Sequence, residues 1–577
     1  MNACTSDLTS SIEEIKVKEN QNKKKSTKND TNSIASVEYE TNPLSVENVE
    51  NAFKQLGRNE ALDTDKIYHY YKFDPNAVTS ELLAIIEKDS THHILDYPFA
   101  SGKVYNEKFG ENFEENIESL KDGNLYIVFK TGTDLEKVIS TSPELKLEKL
   151  DELYLPKDDD EQLLEYLVNQ NTSEERLLPC LLKRPKGRVR YQDQETGFMR
   201  PVPNIQVWAL VFGIPVPTWT DAQGNYAIPY RFSAGTFIGT HAKNGRINVK
   251  PFNTTGGFFS VVPQLVSNFI IGSVHNAGWY NACRMRDDIN IDFNVHGQPR
   301  YWAQILDAVN LHDTYTRQDG IFNAPWGLTW YAHWADAPRG TNSAPMLSHI
   351  HTNVPQLLLG ILSIAFDTNI NVTAPNFLKL LTGLPPSIIT KRSPKMDEHY
   401  SEDLMKSCFH ELAHGSLFVK VGGSFWLKTI ANTIAVGSNP NGGYGTGNEL
   451  WEGYTQVNEA WAEYVGKTHG MRIHPNGEVE VDLRVWQRYS IALEQDASFV
   501  NRWIPTGTFY DLNDPILNGE GMDNIAGYSI RQMFNVFTPT TNGMCEYKSN
   551  FDRTYPVVTN NQFDNILVLN LYNDCLR

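Results

Sequence analysis

The chain has 577 residues, so we expect several domains rather than one hydrophobic core. Apolar residues make up 40% of it and charged residues 21%, which is typical of folded globular proteins and excludes a largely disordered chain. The net charge of −18 argues against nucleic acid as a partner, because phosphates are bound by broad basic surfaces. The longest apolar run, residues 354–366, is shorter than the roughly 20 residues of a membrane-spanning helix, and it predicts a buried core helix.

Residues 1–60 contain few large apolar side chains and a cluster of lysines, and we predict that they form a disordered, solvated tether. Near their start, Ala3 precedes Cys4, and this pair resembles the end of a bacterial lipobox. The resemblance implies acylation of Cys4, and thus a lipid anchor as the chain's contact with a membrane. It also implies export, to the periplasm or to the outer membrane or cell surface as a lipoprotein. The alternative is a cytosolic protein with a chance cysteine.

Residues 61–165 alternate between strand and helix patterns. Residues 67–73 (IYHYYKF) and 125–129 (LYIVF) have strand composition, and residues 80–88 have helical spacing. We predict a small α+β domain here, and it contains no catalytic pattern.

Residues 183–256 show short alternating strands separated by turn sequences, which predicts a β-sandwich. Residues 203–208 (PNIQVW) and 220–226 (TDAQGNY) resemble the transthyretin-like, carboxypeptidase-regulatory-type sandwich of exported bacterial proteins. The resemblance implies an accessory module and export, and it carries no activity of its own.

Residues 265–577 are rich in Trp, Tyr and Asn, and they contain the catalytic pattern HExxH. His410 and His414 lie in a stretch without Gly or Pro, which predicts a helix with both imidazoles on one face. Two such histidines can bind one metal ion, and Glu411 can reach a metal-bound water without being a ligand. The apolar neighbours predict a largely buried helix, where histidines and a glutamate without partners would be costly. A metal site is therefore favoured over a chance match.

A catalytic zinc ion usually has three protein ligands. Residues 458–463 (NEAWAE) resemble the second zinc motif of gluzincins, the zinc metallopeptidases that include the thermolysin and M1-aminopeptidase groups. The resemblance implies that Glu459 is the third ligand of Zn2+ and that Glu463, one helical turn later, accepts the N–H of His410. Glu463 and then Glu452 are the alternative ligands, and a surface charge is the alternative role of Glu463.

The same resemblance implies hydrolysis of a peptide bond by a metal-bound water, with Glu411 as the general base. A second group must stabilise the oxyanion. Tyr528, which precedes an apolar segment at a comparable place, is our candidate. The alternatives for this role are Tyr444, Tyr454, His469 and His474.

These patterns predict a multidomain α+β protein with a small α+β domain, a β-sandwich and an α-rich gluzincin-like catalytic domain. We expect an exported or surface-anchored endopeptidase acting on a peptide or protein substrate. One alternative is a catalytically silent surface binding or adhesion protein on a metallopeptidase fold. Another is a zinc hydrolase of a non-peptide substrate.

Overall fold

The structure is a computed structural model, and the residues that it describes are 41–89, 91–105, 109, 112–141, 146–169, 184–232, 235–253, 262–280, 288–294, 297–335, 342–350, 361, 384–392, 401–437, 450–475, 504–513, 527–556 and 562–569. Cys4, residues 1–40 of the predicted tether, nearly all of the apolar run 354–366, and Tyr444 lie outside these ranges. Within them, none of the helices has the length and hydropathy needed to cross a bilayer.

The first unit is a four-stranded antiparallel sheet with helices. Its elements are α1 (Val46–Gln55), β1 (Ile67–Phe73), α2 (Ser80–Lys88), β2 (His93–Leu95), α3 (Phe113–Glu118), β3 (Leu125–Lys130), α4 (Asp134–Thr141), β4 (Glu148–Tyr154) and α5 (Glu161–Asn169). The strand order is β2-β3-β1-β4. The side chain of Thr79 caps α2 by accepting the N–H of Leu82.

Two sheets follow in the region of the predicted sandwich. In chain order the elements of this region are β5 (Lys186–Gln192), β6 (Met199–Pro201), β7 (Gln206–Val211), β8 (Ile214–Trp219), β9 (Asn225–Ala227), β10 (Thr236–His241), β11 (Ile247–Asn253), α6 (Val262–Ile271), β12 (Val274–Tyr280) and β13 (Ile291–Phe293). Strand β11 belongs to a third sheet. One sheet has the order β12-β10-β7-β8, and in the other β5 pairs with β13, β6 and β9. Strands β12 and β13 thus enter these sheets from beyond residue 256.

The remaining elements build the region around the HExxH motif. They are α7 (Gln298–Asp319), β14 (Leu328–Trp334), β15 (Ile388–Arg392), α8 (Ser401–Val421), α9 (Gly423–Gly437), α10 (Glu452–Ile473), α11 (Thr508–Asn513), α12 (Ile530–Asn535), α13 (Met544–Thr554) and α14 (Gln562–Leu569). Strand β11 pairs in parallel with β14, which pairs in parallel with β15. Helix α8 packs against α7, α9 and α10. The predicted multidomain α+β class is confirmed.

The first unit packs directly on the β7–β8 turn and on β10. The side-chain amide of Asn42 donates to the carbonyl oxygens of Ala100 (2.6 Å) and Phe212 (2.7 Å). The rings of Phe113 and Phe237 lie 4.7 Å apart between centroids. The apolar core therefore continues from the first sheet into the second.

Candidate metal centre

Helix α8 carries the HExxH motif on a buried segment. Phe409 and Leu412 are fully buried in the core. Their burial fixes the rotation of the helix about its axis, and thus the direction in which the two histidines point. The side chain of His410 is 16% exposed and that of His414 is 5% exposed. Both imidazoles lie on one face because they are four residues apart.

Helix α10 runs antiparallel to α8 and faces it. Lys406 of α8 lies opposite Gly470, His410 lies opposite Gly466, and His414 hydrogen-bonds Asn458. A Cβ atom at Gly466 would lie 3.1 Å from the Cα atom of His410, so the missing side chain lets the two backbones approach. This close approach brings Glu459 of α10 to the histidines of α8.

His410, His414 and Glu459 converge on one point. The two Nε2 atoms are 3.1 Å apart, and the Glu459 carboxylate lies 3.3 Å from the Nε2 atom of His410 and 3.5 Å from that of His414. One ligand atom from each residue lies within 4.8 Å of the other two, and these three residues could hold a metal ion. Within the described ranges, no other group of His, Cys, Asp and Glu side chains meets this condition.

The opposite ring nitrogens are held by α10. The Nδ1 atom of His414 lies 2.8 Å from the Oδ1 atom of Asn458, and the Nδ1 atom of His410 lies 3.3 Å from the carboxylate of Glu463. An acceptor at Nδ1 favours the proton there and leaves the Nε2 lone pair for a metal ion. Glu463 is itself 3.0 Å from the ammonium group of Lys467. Glu463 thus offers an acceptor to the Nδ1 atom of His410.

The charges of the site shift its pKa values. Burial lowers the pKa of His410, but its hydrogen bonds with Glu459 and Glu463 outweigh burial and hold that pKa well above its usual value. Burial raises the pKa values of Glu459 and Glu463, but the nearby histidines, and for Glu463 the neighbouring lysines, outweigh burial and lower both. The metal-free site therefore favours a protonated His410 between two carboxylates.

Glu411 differs from these carboxylates. Its side chain is buried, and its Oε2 atom has no hydrogen-bond partner among the described residues. Burial raises its pKa to about 6, against the charges of His410 and His414, which lower it. A buried carboxylate with an unpartnered oxygen beside two imidazoles suits a group that accepts a proton.

The described candidates for oxyanion stabilisation each have contacts of their own. The ring of Tyr528 packs against the rings of Phe551 and Tyr555, and neither of these is one of the three possible metal ligands. The hydroxyl of Tyr454 accepts from Lys428 at 2.7 Å. The role of Tyr528 stays a prediction.

The two histidines that are candidates for oxyanion stabilisation pair with carboxylates of other parts of the chain. His469 lies 2.9 Å from the carboxylate of Asp319 at the end of α7, and His474 lies 2.9 Å from that of Asp193. Glu452, the remaining ligand alternative, stands at the start of α10, two helical turns before Glu459.

Sequence reasoning gave no role to several side chains that position the centre. Asn458 holds His414, and His312 of α7 lies 2.9 Å from the hydroxyl of Ser416 on α8. The spacing of Lys467, four residues after Glu463, was a usable signal for the ion pair between them. The contacts of His312 join residues about a hundred positions apart, and no local pattern encodes them.

Comparison of the chain with protein-family models, with curated proteins and with solved structures found no match.

Proposed function

We propose that the chain is a zinc metallopeptidase of the gluzincin type. The observation that carries the proposal is the convergence of two HExxH histidines and Glu459 from a second helix, with both Nδ1 atoms held by α10. In a tetrahedral zinc site, ligand atoms about 2.0–2.1 Å from the metal lie about 3.3 Å from one another. The separations of 3.1, 3.3 and 3.5 Å between the three side chains fit that geometry.

Each residue has a defined part in the proposed reaction. His410, His414 and Glu459 hold the zinc ion, and Asn458 and Glu463 orient the two imidazoles. Zinc, when bound, supplies a Lewis acid that acidifies water and polarises a peptide carbonyl. Glu411 accepts the proton of the attacking water and delivers it to the leaving nitrogen. A pKa of about 6 makes Glu411 a stronger base than an ordinary carboxylate while leaving it mostly ionised at neutral pH.

We also propose that the protein acts outside the cytoplasm on a peptide or protein substrate. Cys545 is disulfide-bonded, and disulfide bonds persist mainly in oxidising compartments. This supports the expectation of export drawn from Cys4 and from the sandwich motif. It is consistent with a protein that is periplasmic or is anchored at the cell surface by a lipid.

The test compares the zinc content and the casein cleavage of three full-length proteins: wild type, Glu411→Gln and Asp403→Asn. Asp403 is an exposed carboxylate on the same helix, so its amide variant is a matched control. We expect one zinc ion per chain in all three, and a loss of cleavage of about 100-fold or more in Glu411→Gln alone, because general-base catalysis contributes about that much.

The outcomes separate the alternatives. A wild type without zinc would refute the proposal. Zinc without cleavage of casein would contradict general endopeptidase activity and favour a non-peptide substrate or a binding role. Hydrolysis of esters or amides that again depends on Glu411 would then identify a hydrolase.

A further inference from the structure

The turn between β5 and β6 lies where α8 begins and α10 ends. Because these two helices are antiparallel, Ser401 at the start of α8 and His474 just after α10 are at the same end of the pair. The hairpin formed by β5, residues 193–198 and β6 belongs to the sandwich region, and its turn contacts both helix ends. We call it the β5–β6 hairpin.

Its contact with α10 is a buried polar pair. The Oδ2 atom of Asp193 lies 2.9 Å from the Nε2 atom of His474, and the two residues are 1% and 4% exposed. The Oδ1 atom of the same carboxylate accepts the backbone N–H groups of Glu195 and Thr196. One side chain thus closes the turn and fixes the end of α10 to it.

Its contact with α8 includes the hydroxyl of Ser401 and the backbone of Glu402, which hydrogen-bonds the carboxylate of Glu195. The backbone N–H of Gln194 lies 3.0 Å from the Oγ atom of Ser401, which is 1% exposed. Arg300 and Gln304 of α7 reach the same oxygen at 2.9 Å. Arg300 also donates to the carbonyl oxygen of Gln192 at 2.9 Å. The start of α8 is therefore held by the hairpin and by α7 together.

The hairpin is itself fixed to α7. The hydroxyl of Tyr191 donates to the carboxylate of Asp307 at 2.8 Å, and Arg200 of β6 lies 3.2 Å from the same oxygen. Tyr191 and Asp307 are buried. Since buried hydrogen-bonded networks are costly to break, the turn has one defined position relative to α7.

We propose that the β5–β6 hairpin is a positioning element of the metal site. Through Asp193 and Gln194 it fixes the adjacent ends of α8 and α10, and so sets the spacing at which His410, His414 and Glu459 meet. This inference rests on the proposed function in so far as those three side chains bind zinc. His474 and Ser401 are positioning residues, since His410 lies about 14 Å along α8 from Ser401 at 1.5 Å per residue.

A helix transmits a displacement of its end along its length. Metal–ligand distances must be met within about 0.2 Å. A helix end that loses its polar anchor is held less firmly, and α8 and α10 approach closely at Gly466, beside the ligand candidate His410. A loosened end therefore weakens metal binding even when all three ligands are intact.

The first experiment compares His474→Ala with His474→Gln in the full chain, and Asp292→Asn serves as the control. Gln keeps an N–H donor for Asp193, while Ala removes it. Asp292 pairs with Arg190 of β5 at 2.8 Å, so its variant disturbs the same strand away from the turn that holds α8 and α10. Zinc affinity is measured by competition with a chelator, and the visible spectrum of the cobalt-substituted protein reports the ligand geometry.

We expect His474→Ala to weaken zinc affinity by about tenfold or more and to change the cobalt spectrum, because metal–ligand distances tolerate a change of only about 0.2 Å. His474→Gln should restore most of the affinity, and Asp292→Asn should leave it unchanged. Equal affinity in His474→Ala and wild type would overturn the inference. So would an equal loss in Asp292→Asn, since general destabilisation would then explain both.

A second experiment has a first readout, the rate of disulfide formation, that does not depend on zinc. A Cβ atom at Gly470 would lie 3.8 Å from the Cβ atom of Lys406. This is the usual distance between the two Cβ atoms of a disulfide-bonded pair. We expect the pair Lys406→Cys and Gly470→Cys to oxidise readily in the metal-free protein, and more slowly when His474→Ala is added. The oxidised triple variant should regain the zinc affinity of the oxidised pair. An oxidation rate unaffected by His474→Ala refutes the inference, whereas a wild type without zinc refutes only the proposed function.

Discussion

At the scale of single residues, Asn458 shows how a neutral side chain prepares a metal ligand. It is 2% exposed and lies 2.8 Å from the Nδ1 atom of His414, so it selects the tautomer that presents Nε2 to the metal ion. It also directly precedes Glu459, so one turn of α10 supplies both a ligand and the partner of another ligand.

The variant Asn458→Leu tests this role. Leu has the same branched shape and number of side-chain heavy atoms but no acceptor, so the buried Nδ1 atom of His414 would lose its partner. We expect zinc affinity to fall about 10- to 100-fold, as it does when such partners of ligands are removed. The matched variant Asn458→Asp keeps an acceptor and should bind zinc at least as tightly as wild type. Chelator competition measures both, and equal losses in the two variants would contradict the role.

At the scale of elements, the centre depends on how closely α8 and α10 approach. The two glycines of α10 that face α8 differ in the space around them. A Cβ atom at Gly466 would press on the backbone of His410 at 3.1 Å, while one at Gly470 would meet Lys406 at an ordinary 3.8 Å. The first glycine is required by packing, and the second is not.

Replacing each of these glycines by alanine distinguishes the effect of helix propensity on stability from the effect of packing. In a helix interior, Gly→Ala alone stabilises by about 0.5–1 kcal/mol. We expect Gly470→Ala to raise the free energy of unfolding by about that amount and to leave zinc content unchanged. Gly466→Ala should lose this gain and bind zinc more weakly, because α8 and α10 must separate by a few tenths of an ångström. Denaturant unfolding with zinc analysis decides the point, and identical behaviour of the two variants would contradict it.

The grouping of His410, His414 and Glu459 could be predicted from the sequence better than the residues that support it. His410 and His414 share a helix face because their spacing is local, and the resemblance of a short motif implied Glu459. The pairing of β13 with β5 joins residues about a hundred positions apart, and no periodicity predicts such a partner. For the same reason the contact of Asp193 with His474 could not be foreseen, since burial of both groups depends on the packing of the whole chain.

At the scale of the whole molecule, stability should depend on pH and on metal. The raised pKa of His410 means that its proton stabilises the metal-free fold below about pH 6.5, and this contribution is lost as pH rises through the folded pKa. The lowered pKa values of Glu459 and Glu463 give stability that is present above about pH 4.3 and is lost as pH falls. These groups therefore stabilise the folded, metal-free protein most between about pH 4.3 and about pH 6.5.

We expect zinc to raise the melting temperature more at about pH 8 than at about pH 5.5, because zinc must displace the proton of His410 and a higher pH makes that displacement more favourable. Thermal unfolding with and without a chelator at both pH values measures the difference. The variant Glu463→Gln, which removes one of the partners that raise the pKa of His410, should reduce the pH dependence. A zinc effect that shrinks as pH rises would contradict the assignment.

The packing of the first unit on β10 has a consequence for the order of events during synthesis. Phe113 is made early, but the ring of Phe237 that covers it emerges from the ribosome more than a hundred residues later. Domains usually fold as units in the order of their synthesis. Here the apolar surface around Phe113 of α3 stays uncovered until β10 has been made, so the nascent chain exposes that surface over the interval. A holding chaperone, or translocation of the unfolded chain before it can collapse, would protect it.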